Sequence, residues 1–304
     1  MALDNLIAVD WGTTNARAYR LDAEGAIIDR RADEQGIMNV AGGDFAAAFQ
    51  SFLGEWVDAT PGVQVLMSGM IGSRQGWIEA AYAECPVSAD DLAVGLAQTP
   101  EFDFVRIVPG AHYCSPTGRH DVIRGEEVQI FGALPSDKGK FVFCLPGTHS
   151  KWATVSDGRF DWFATAVTGE VFRALERHTI LGALMTPDDQ DPGAAGEAGF
   201  LSGLERAKED GGVLNHIFST RADGLFNAVP PEGLRDYLSG ILIGNEMREM
   251  LPLTDAKDVY VIGSEALNKR YLTALKFWGV NVIPMESDVV TVAGLVRVAR
   301  ALGI

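Results

Sequence analysis

Residues 6–22 read LIAVDWGTTNARAYRLD: an apolar run, an Asp, a Gly-Thr-Thr-Asn turn and a second run ending at an Asp. Residues 6–9 have the character of a short buried strand and residues 16–21 that of its partner, with small polar residues at the bend. A backbone that approaches a phosphate closely wants Gly12, because no Cβ stands in the way. Thr13, Thr14 and Asn15 add hydroxyl, amide and backbone N–H donors, and Asp10 stands where a carboxylate could hold a magnesium ion directly or through water. The segment therefore reads either as a nucleotide-phosphate hairpin or as an ordinary hairpin with a polar turn.

A second copy favours the first reading. Residues 141–163 read FVFCLPGTHSKWATVSDGRFDWF, again a strand, a Gly-Thr turn, a basic residue, an alternating strand and a Gly-containing turn into a third strand. Gly12-Thr13-Thr14-Asn15 with Arg17 corresponds to Gly147-Thr148-His149-Ser150 with Lys151, and Glu24-Gly25 to Asp157-Gly158. The two glycines stand 147 − 12 = 135 residues apart. Such self-similarity predicts a duplicated domain with its two phosphate turns facing across a cleft.

Two such hairpins followed by a Gly-Ser strand-to-helix turn resemble the superfamily of sugar kinases, heat-shock ATPases and actin. The resemblance implies an α/β fold of two ribonuclease-H-like (actin-like ATPase) domains around a central nucleotide cleft, binding ATP with Mg²⁺. The adenosine motif it implies is residues 259–267, VYVIGSEAL, with Gly263 and Ser264 at the turn. Residues 67–86, MSGMIGSRQGWIEAAYAECP, taken with IRGEEVQIFG at 123–132 and LPGTHSKW at 145–152, resemble more closely the 2-dehydro-3-deoxygalactonokinase family of bacterial sugar-acid kinases. That resemblance implies phosphorylation of the terminal 6-hydroxyl of 2-dehydro-3-deoxy-D-galactonate in galactonate catabolism, with the gluconate epimer as the alternative acceptor. A single hydroxyl inversion is read by one or two hydrogen bonds that spacing does not locate.

Composition narrows the classes. The 304 residues allow one large or two medium domains, and 47% hydrophobic with 22% charged residues is ordinary for a globular protein. A net charge of −16 argues against nucleic acid or an anionic membrane as partner, and makes the few basic loop residues more informative. The first strand begins within six residues of the N-terminus, and no apolar run approaches the roughly eighteen residues that span a bilayer, so a cytoplasmic location is expected. Cys85, Cys114 and Cys144 show no Cys-x-x-Cys spacing and read as reduced, mostly buried thiols. No Gly-x-x-x-x-Gly-Lys-Ser/Thr loop, Gly-x-Gly-x-x-Gly turn or Gly-x-Ser-x-Gly elbow is written in the chain.

Along the chain, Phe45, Phe49, Phe52 and Trp56 form one face of a helix begun at Gly42-Gly43-Asp44, and residues 63–67 form a strand buried on both faces. Ser68-Gly69-Met70-Ile71-Gly72-Ser73-Arg74-Gln75-Gly76-Trp77 leaves the carboxyl end of that strand, where open α/β sheets bind ligands. Ser73, Arg74, Gln75 and Trp77 suit a small anion: a donor fork for a carboxylate, an amide for hydroxyls, an indole wall. A Gly-rich surface loop with a solvated Arg is the plain alternative.

Residues 109–120, rich in Gly, Pro, His and Ser, read as a loop where the chain passes between domains, dividing it into 1–118 and 119–286. His112 beside Cys114 reads as a hydrogen-bonded structural histidine. A helix opening at Glu126-Glu127 places acids where its dipole favours them, a sufficient structural reason for both. In related sugar kinases a Gly-Asp segment that opens a helix carries the catalytic carboxylate; Glu126 lies 147 − 126 = 21 residues before Gly147, in matching order, but here the residues are Glu-Glu. The base is thereby left open among Glu126, Glu127 and Asp121.

Thr168 is expected to cap the next helix, residues 187–193 to form a solvated acidic turn, and the helical stretches 194–208, 213–218 and 234–251 to form an insertion. The face carrying Leu238, Ile241, Leu242 and Met250 reads as core or as subunit contact, which leaves a homodimer open. A last helix over 287–304, with Val289, Val292, Val296 and Ala299 facing the core, is expected to pack on the first domain. A phosphohydrolase of the same fold and a non-enzymatic sugar sensor or assembly protein are the competing readings.

Overall fold

In the computed structural model the described residues are 3–187 and 193–303, so most of the acidic turn expected at 187–193 lies outside them. The chain groups into two compact units. The first holds the chain as far as Phe141, Ala153–Phe163 and the segment from Met285 on; the second holds Val142–Trp152 and Ala164–Pro284.

In the first unit, β1 (Leu6–Trp11), β2 (Ala16–Leu21) and β3 (Ile27–Asp33) form an antiparallel meander. Asp44 caps α1 (Phe45–Asp58) by accepting from the Ala47 N–H, and Phe45, Phe49, Phe52 and Trp56 are buried as their spacing predicts. The chain returns as β4 (Gln64–Ser68), parallel to β1 with Asp10 opposite Ser68. Trp11 meets Phe45 and Phe52 edge-on at centroid distances of 6.5 and 6.2 Å, which seats the helix on the sheet. β5 (Tyr82–Glu84), α2 (Ala89–Val94), β6 (Ala97–Gln98) and β7 (Val105–Ile107) follow, and the main sheet has the order β3-β2-β1-β4-β7-β6.

Residues 109–120 are not a plain connecting loop. They carry β8 (Gly110–Cys114) and lead into β9 (His120–Ile123), an antiparallel pair that joins β5 in a small sheet. The His112 and His120 rings stack at 5.0 Å with ring nitrogens 2.8 Å apart, which fits the structural role expected of His112. α3 (Glu126–Ala133) comes next. β8, β9 and α3 all belong to the first unit, and the chain first passes to the second after Phe141.

The second meander is β10 (Lys140–Leu145), β11 (Ser150–Ser156) and β12 (Arg159–Ala166). Helices α4 (Thr168–His178), α5 (Gly193–Lys208), α6 (Val213–Leu225) and α7 (Pro231–Thr254) precede β13 (Asp258–Gly263), α8 (Glu265–Phe277) and β14 (Asn281–Glu286). The sheet order β12-β11-β10-β13-β14, with β13 parallel to β10, repeats β3-β2-β1-β4-β7. The far end of the β11–β12 hairpin belongs to the first unit, where Phe160 bridges to Val87 and Arg159 pairs with Asp91 at 3.2 Å.

The chain ends in α9 (Ser287–Leu302), which lies in the first unit against α3, α2, β1 and β4. Its buried stripe runs through Val292, Val296 and Ala299 as expected, but Val289 is 51% exposed and Val290 takes the inward position. Thr168 differs as well: it is the first helical residue of α4, and its hydroxyl donates to Glu246 instead of capping the backbone.

Candidate active site

The turn between β1 and β2 is held from behind. Gly36 N–H donates to the Thr14 carbonyl at 3.0 Å, Ile37 N–H to Gly12 at 3.0 Å and Met38 N–H to Thr13 at 3.2 Å. With those carbonyls committed, residues 13–15 are exposed, and the Asn15 amide donates to Thr14 Oγ1 at 3.1 Å; a backbone turn with its carbonyls held elsewhere is one that can offer donors to an anion. The close approach depends on Gly36, where a Cβ would stand 2.3 Å from Thr13 and Thr14 backbone atoms.

At the end of β1, Asp10 is surrounded by acids. Arg17 approaches it at 3.8 Å and also reaches Asp288, at the start of α9, at 4.0 Å; Arg30 meets Asp288 at 3.6 Å. Burial pushes the Asp10 carboxyl up to about 6, with Arg17 opposing and Glu126 and Asp288 adding to the rise. Glu126 and Asp10 are neighbours because two glycines remove the side chains that would separate them. Gly69 has φ +96°, and a Cβ there would lie 2.8 Å from the Trp11 carbonyl oxygen and 3.2 Å from Asp10 Oδ1. Gly125, at φ +105°, packs onto Gly69, so that a Cβ would sit 3.1 Å from the Gly69 Cα.

The three candidate bases have different surroundings. Glu127 is completely buried, both its oxygens accept from the Gly125 N–H at 2.8 and 2.9 Å, and burial with the neighbouring Glu126 pushes its carboxyl up to about 8. Glu126 is half-buried and accepts from the Arg124 N–H at 3.0 Å. Asp121 lies in β9 opposite Tyr113, with a carboxylate oxygen accepting from the Val122 N–H at 2.8 Å. Only Glu126, of these three, raises the Asp10 carboxyl.

Asp10 is the carboxylate here that could hold a metal ion: among the described residues no hydrogen-bond donor is committed to it and further acidic charge acts on it, while no cluster of three or more metal-ligating side chains is present among those residues. An oxygen-donor site of this kind is what a hard divalent cation takes.

The loop after β4 spreads its four candidates. Ser73 is buried with an unpartnered hydroxyl, whereas the Arg74 side chain is 85% exposed and pairs with Glu79 at 3.2 Å. Gln75 is exposed, and Trp77 packs on Phe49 and Phe102 while its indole N–H donates to Glu101 at 3.0 Å. The structure therefore gathers Ser73 and Trp77 toward the first-unit core and leaves Arg74 and Gln75 outward.

In the second unit the turn at Gly147-Thr148-His149 is braced by α4. Glu170 N–H donates to the Thr148 carbonyl at 3.0 Å, His149 Nε2 lies 2.6 Å from the Glu170 carboxylate, and a Cβ on Gly169 would come 2.5 Å from the Gly147 oxygen. Beside the turn opens a cavity of about 760 Å³ walled by α4, α7 and α8, with Arg173, Arg177, Arg235 and Arg270 among its lining. Arg235 pairs with Glu176 at 2.6 Å and Arg270 with Asp236. From the adenosine motif at 259–267 only Ala266 and Leu267 are among the cavity's lining, joined by Arg270 and Tyr271 further along α8, while Gly263 packs against Asn268 and Pro146.

Sequence reasoning misses four residues here. Gly36 and Asp288 lie far along the chain from the turn and carboxylate they serve, Gly69 reads only as part of a Gly-rich loop, and Glu246 sits mid-helix in α7. For Glu246 the available signal is a lone acid within the apolar run of residues 237–247, flanked by Asn245 and Met247.

A model of the family described as 2-keto-3-deoxy-galactonokinase matches residues 10–298. A Rhizobium meliloti (strain 1021) protein described as a probable 2-dehydro-3-deoxygalactonokinase is 37% identical over 300 residues, covering 97% of this chain and 96% of its own. The 2-dehydro-3-deoxygalactonokinase of Escherichia coli (strain K12) is 31% identical over 301 residues, covering 97% and 98%. A crystal structure of a candidate enzyme of that name from Sinorhizobium meliloti superposes with a TM-score of 0.89 at 35% identity, over 98% of this chain and 99% of that one. At 12% identity and a TM-score of 0.51, the activator of 2-hydroxyisocaproyl-CoA dehydratase from Clostridium difficile, solved with ADPNP, shares the fold over 97% of this chain and 95% of its own. The duplicated sheet order is thus that of an actin-like ATPase fold, and the chain belongs to the 2-keto-3-deoxy-galactonokinase family.

Proposed function

We propose that this chain transfers the γ-phosphoryl group of ATP to the terminal 6-hydroxyl of 2-dehydro-3-deoxy-D-galactonate. The observation that carries the reading, within a chain of this family, is the acidic charge of Glu126 and Asp288 acting on Asp10 beside a turn whose Gly12, Thr13 and Thr14 carbonyls are held by Ile37, Met38 and Gly36. Within the second unit, the nucleotide is taken in the cavity beside Gly147-Thr148.

A phosphoryl group passes through a loose transition state, so positioning and neutralisation of oxygen charge matter more than proton removal. Gly12, Thr13, Thr14 and Asn15 donate to phosphate oxygens, with Arg17 adding positive charge; Gly147, Thr148 and His149 do the same from the second turn. Asp10 would hold magnesium, which when bound supplies further neutralisation of the phosphates. Glu126 accepts the substrate proton late. It is preferred to Glu127, whose oxygens are sealed against the Gly125 N–H, and to Asp121, which stands in β9.

Arg74 grips the sugar-acid carboxylate by exchanging Glu79 for it, a cheap exchange because an exposed ion pair contributes little. Gln75, exposed beside Arg74, reaches the substrate hydroxyls, while Ser73 and Trp77, turned toward the first-unit core, shape the loop that carries both. Among the described residues no helix is long and apolar enough to cross a membrane, and we place the reaction in the cytoplasm, where ATP is supplied.

The test is ADP release, by coupled assay, with MgATP and either 2-dehydro-3-deoxygalactonate, its gluconate epimer or no sugar. Release that depends on the galactonate-derived acid is the expected result. Preference for the epimer reassigns the substrate, and sugar-independent release reassigns the chain to phosphate hydrolysis.

A further inference from the structure

The second unit contains a fully buried carboxylate to which the mechanism above gives no role. Glu246, on α7, accepts four hydrogen bonds from three other elements. Ser150 Oγ and Trp152 Nε1, both on β11, reach its Oε1 at 2.7 and 2.8 Å. Tyr271 Oη on α8 reaches Oε2 at 2.8 Å, and the Thr168 hydroxyl at the start of α4 reaches the same oxygen. An ionised carboxylate is acceptor-only, so every partner must spend its proton on Glu246. Burial raises the Glu246 carboxyl and the four donors oppose the rise.

The consequence lies in the cavity, which Thr168 and Tyr271 both line. A hydroxyl has one proton and two lone pairs. With the Thr168 proton held by Glu246, the half-buried hydroxyl turns only lone pairs toward the cavity. Left to itself it would rotate to suit either kind of ligand. A nucleoside diphosphate offers donors only at its ribose hydroxyls and, in adenine, at the exocyclic amino group; its phosphates at neutral pH offer none.

We infer that Glu246 is a positioning residue for nucleotide recognition, fixing the Thr168 hydroxyl as an acceptor that takes a hydrogen-bond donor of the bound nucleotide. This rests on the reading of the cavity as the nucleotide pocket. It gives Glu246 a part in selectivity beyond joining β11, α4, α7 and α8.

Glu246→Gln separates the two roles. Trp152 Nε1 can only donate, so the amide oxygen of Gln takes the Oε1 place and its NH₂ the Oε2 place. All four contacts survive, but Thr168 and Tyr271 now accept, and the Thr168 proton is released toward the cavity. Binding is measured by calorimetry in EDTA, so that no metal-bound water acts as donor, with ADP, 2′,3′-dideoxy-ADP and inosine diphosphate. The first analogue lacks the ribose donors and the second the amino donor.

The native protein is expected to bind ADP roughly three- to tenfold more tightly than one of the analogues, the size of one neutral hydrogen bond. Which analogue suffers identifies the donor. Glu246→Gln and Thr168→Val should each bring that ratio to within about twofold, and the double variant should add nothing further. If Glu246→Gln fails to fold, Thr168→Val, which removes one half-buried hydroxyl at constant shape, decides alone. Native ADP binding with equal affinity for all three nucleotides, or with a ratio that the folded variants keep, overturns this inference and leaves the pocket reading standing. Absence of ADP binding by the native protein overturns both.

Discussion

Asp10 sits in a field that resists its own charge, and this fixes how the protein should respond to pH. Its carboxyl, raised from 3.8 to about 6, holds a proton in the folded state that the unfolded chain has already released. The associated stability is full below about pH 3.8 and is lost as pH rises through about 6. Asp10→Asn should therefore match or exceed the native melting temperature at pH 8, with the gap closing toward pH 4, in parallel thermal melts. Under the role proposed for Asp10 activity runs the other way: that role takes the ionised form, so turnover should fall as pH drops below about 6, and Asp10→Asn should lower kcat by about two to three orders of magnitude. Full turnover in that variant would refute the role given to Asp10. Glu127, raised from 4.5 to about 8, makes a similar stability prediction. Between those values native stability should decline with pH by at most about 1.4 kcal/mol per unit, and Glu127→Gln should flatten that part of the urea-denaturation profile.

The elements place these residues through close backbone contacts. α3 and α9 touch where a Cβ on Gly132 would lie 1.8 Å from the Val290 oxygen and one on Gly294 1.9 Å from the Val128 oxygen. Their N-termini carry Glu126 and Asp288, so the spacing of the two helices sets the spacing of the acids. Gly294→Ala should cost about 1–3 kcal/mol by overpacking and lower kcat more than it changes either KM, as measured by melts and steady-state kinetics. A stable variant with native kinetics would show that the helices part without moving the acids. What is readable in sequence follows from this same division. Residues 6–21, 45–56 and 258–277 have local apolar periodicity, and their strands and helices appear where that pattern puts them. Gly36 bracing Thr14, or Glu246 meeting Ser150 at a separation of 96 residues, depends on tertiary approach that no local pattern encodes. Residues 109–120 mislead because Gly, Pro and Ser signal a turn, while the short alternating stretch Gly110–Cys114 needs β5 beside it to become a strand.

Across the molecule, the repeated sheet order accompanies a division of the chain into two compact units. Nucleotide on the second unit should stabilise the protein by mass action, about 2.7 kcal/mol at a hundred times Kd. A rise in melting temperature with ADP alone is the expected outcome; no shift with ADP would count against the cavity as its site. The net charge of −16 makes this binding depend on local donors, which the four arginines around the cavity and the two braced turns provide.

The brace behind the first turn has a kinetic consequence. Because the N–H groups of Gly36, Ile37 and Met38 are engaged with the carbonyls of Thr14, Gly12 and Thr13, they should resist deuterium uptake whether or not ligand is present. The N–H groups of Thr13, Thr14 and Asn15, in exposed residues, should exchange rapidly in the free protein and become protected if phosphate covers them. Two adjacent peptides, one silent and one responsive, would then report occupancy of the turn without a labelled nucleotide.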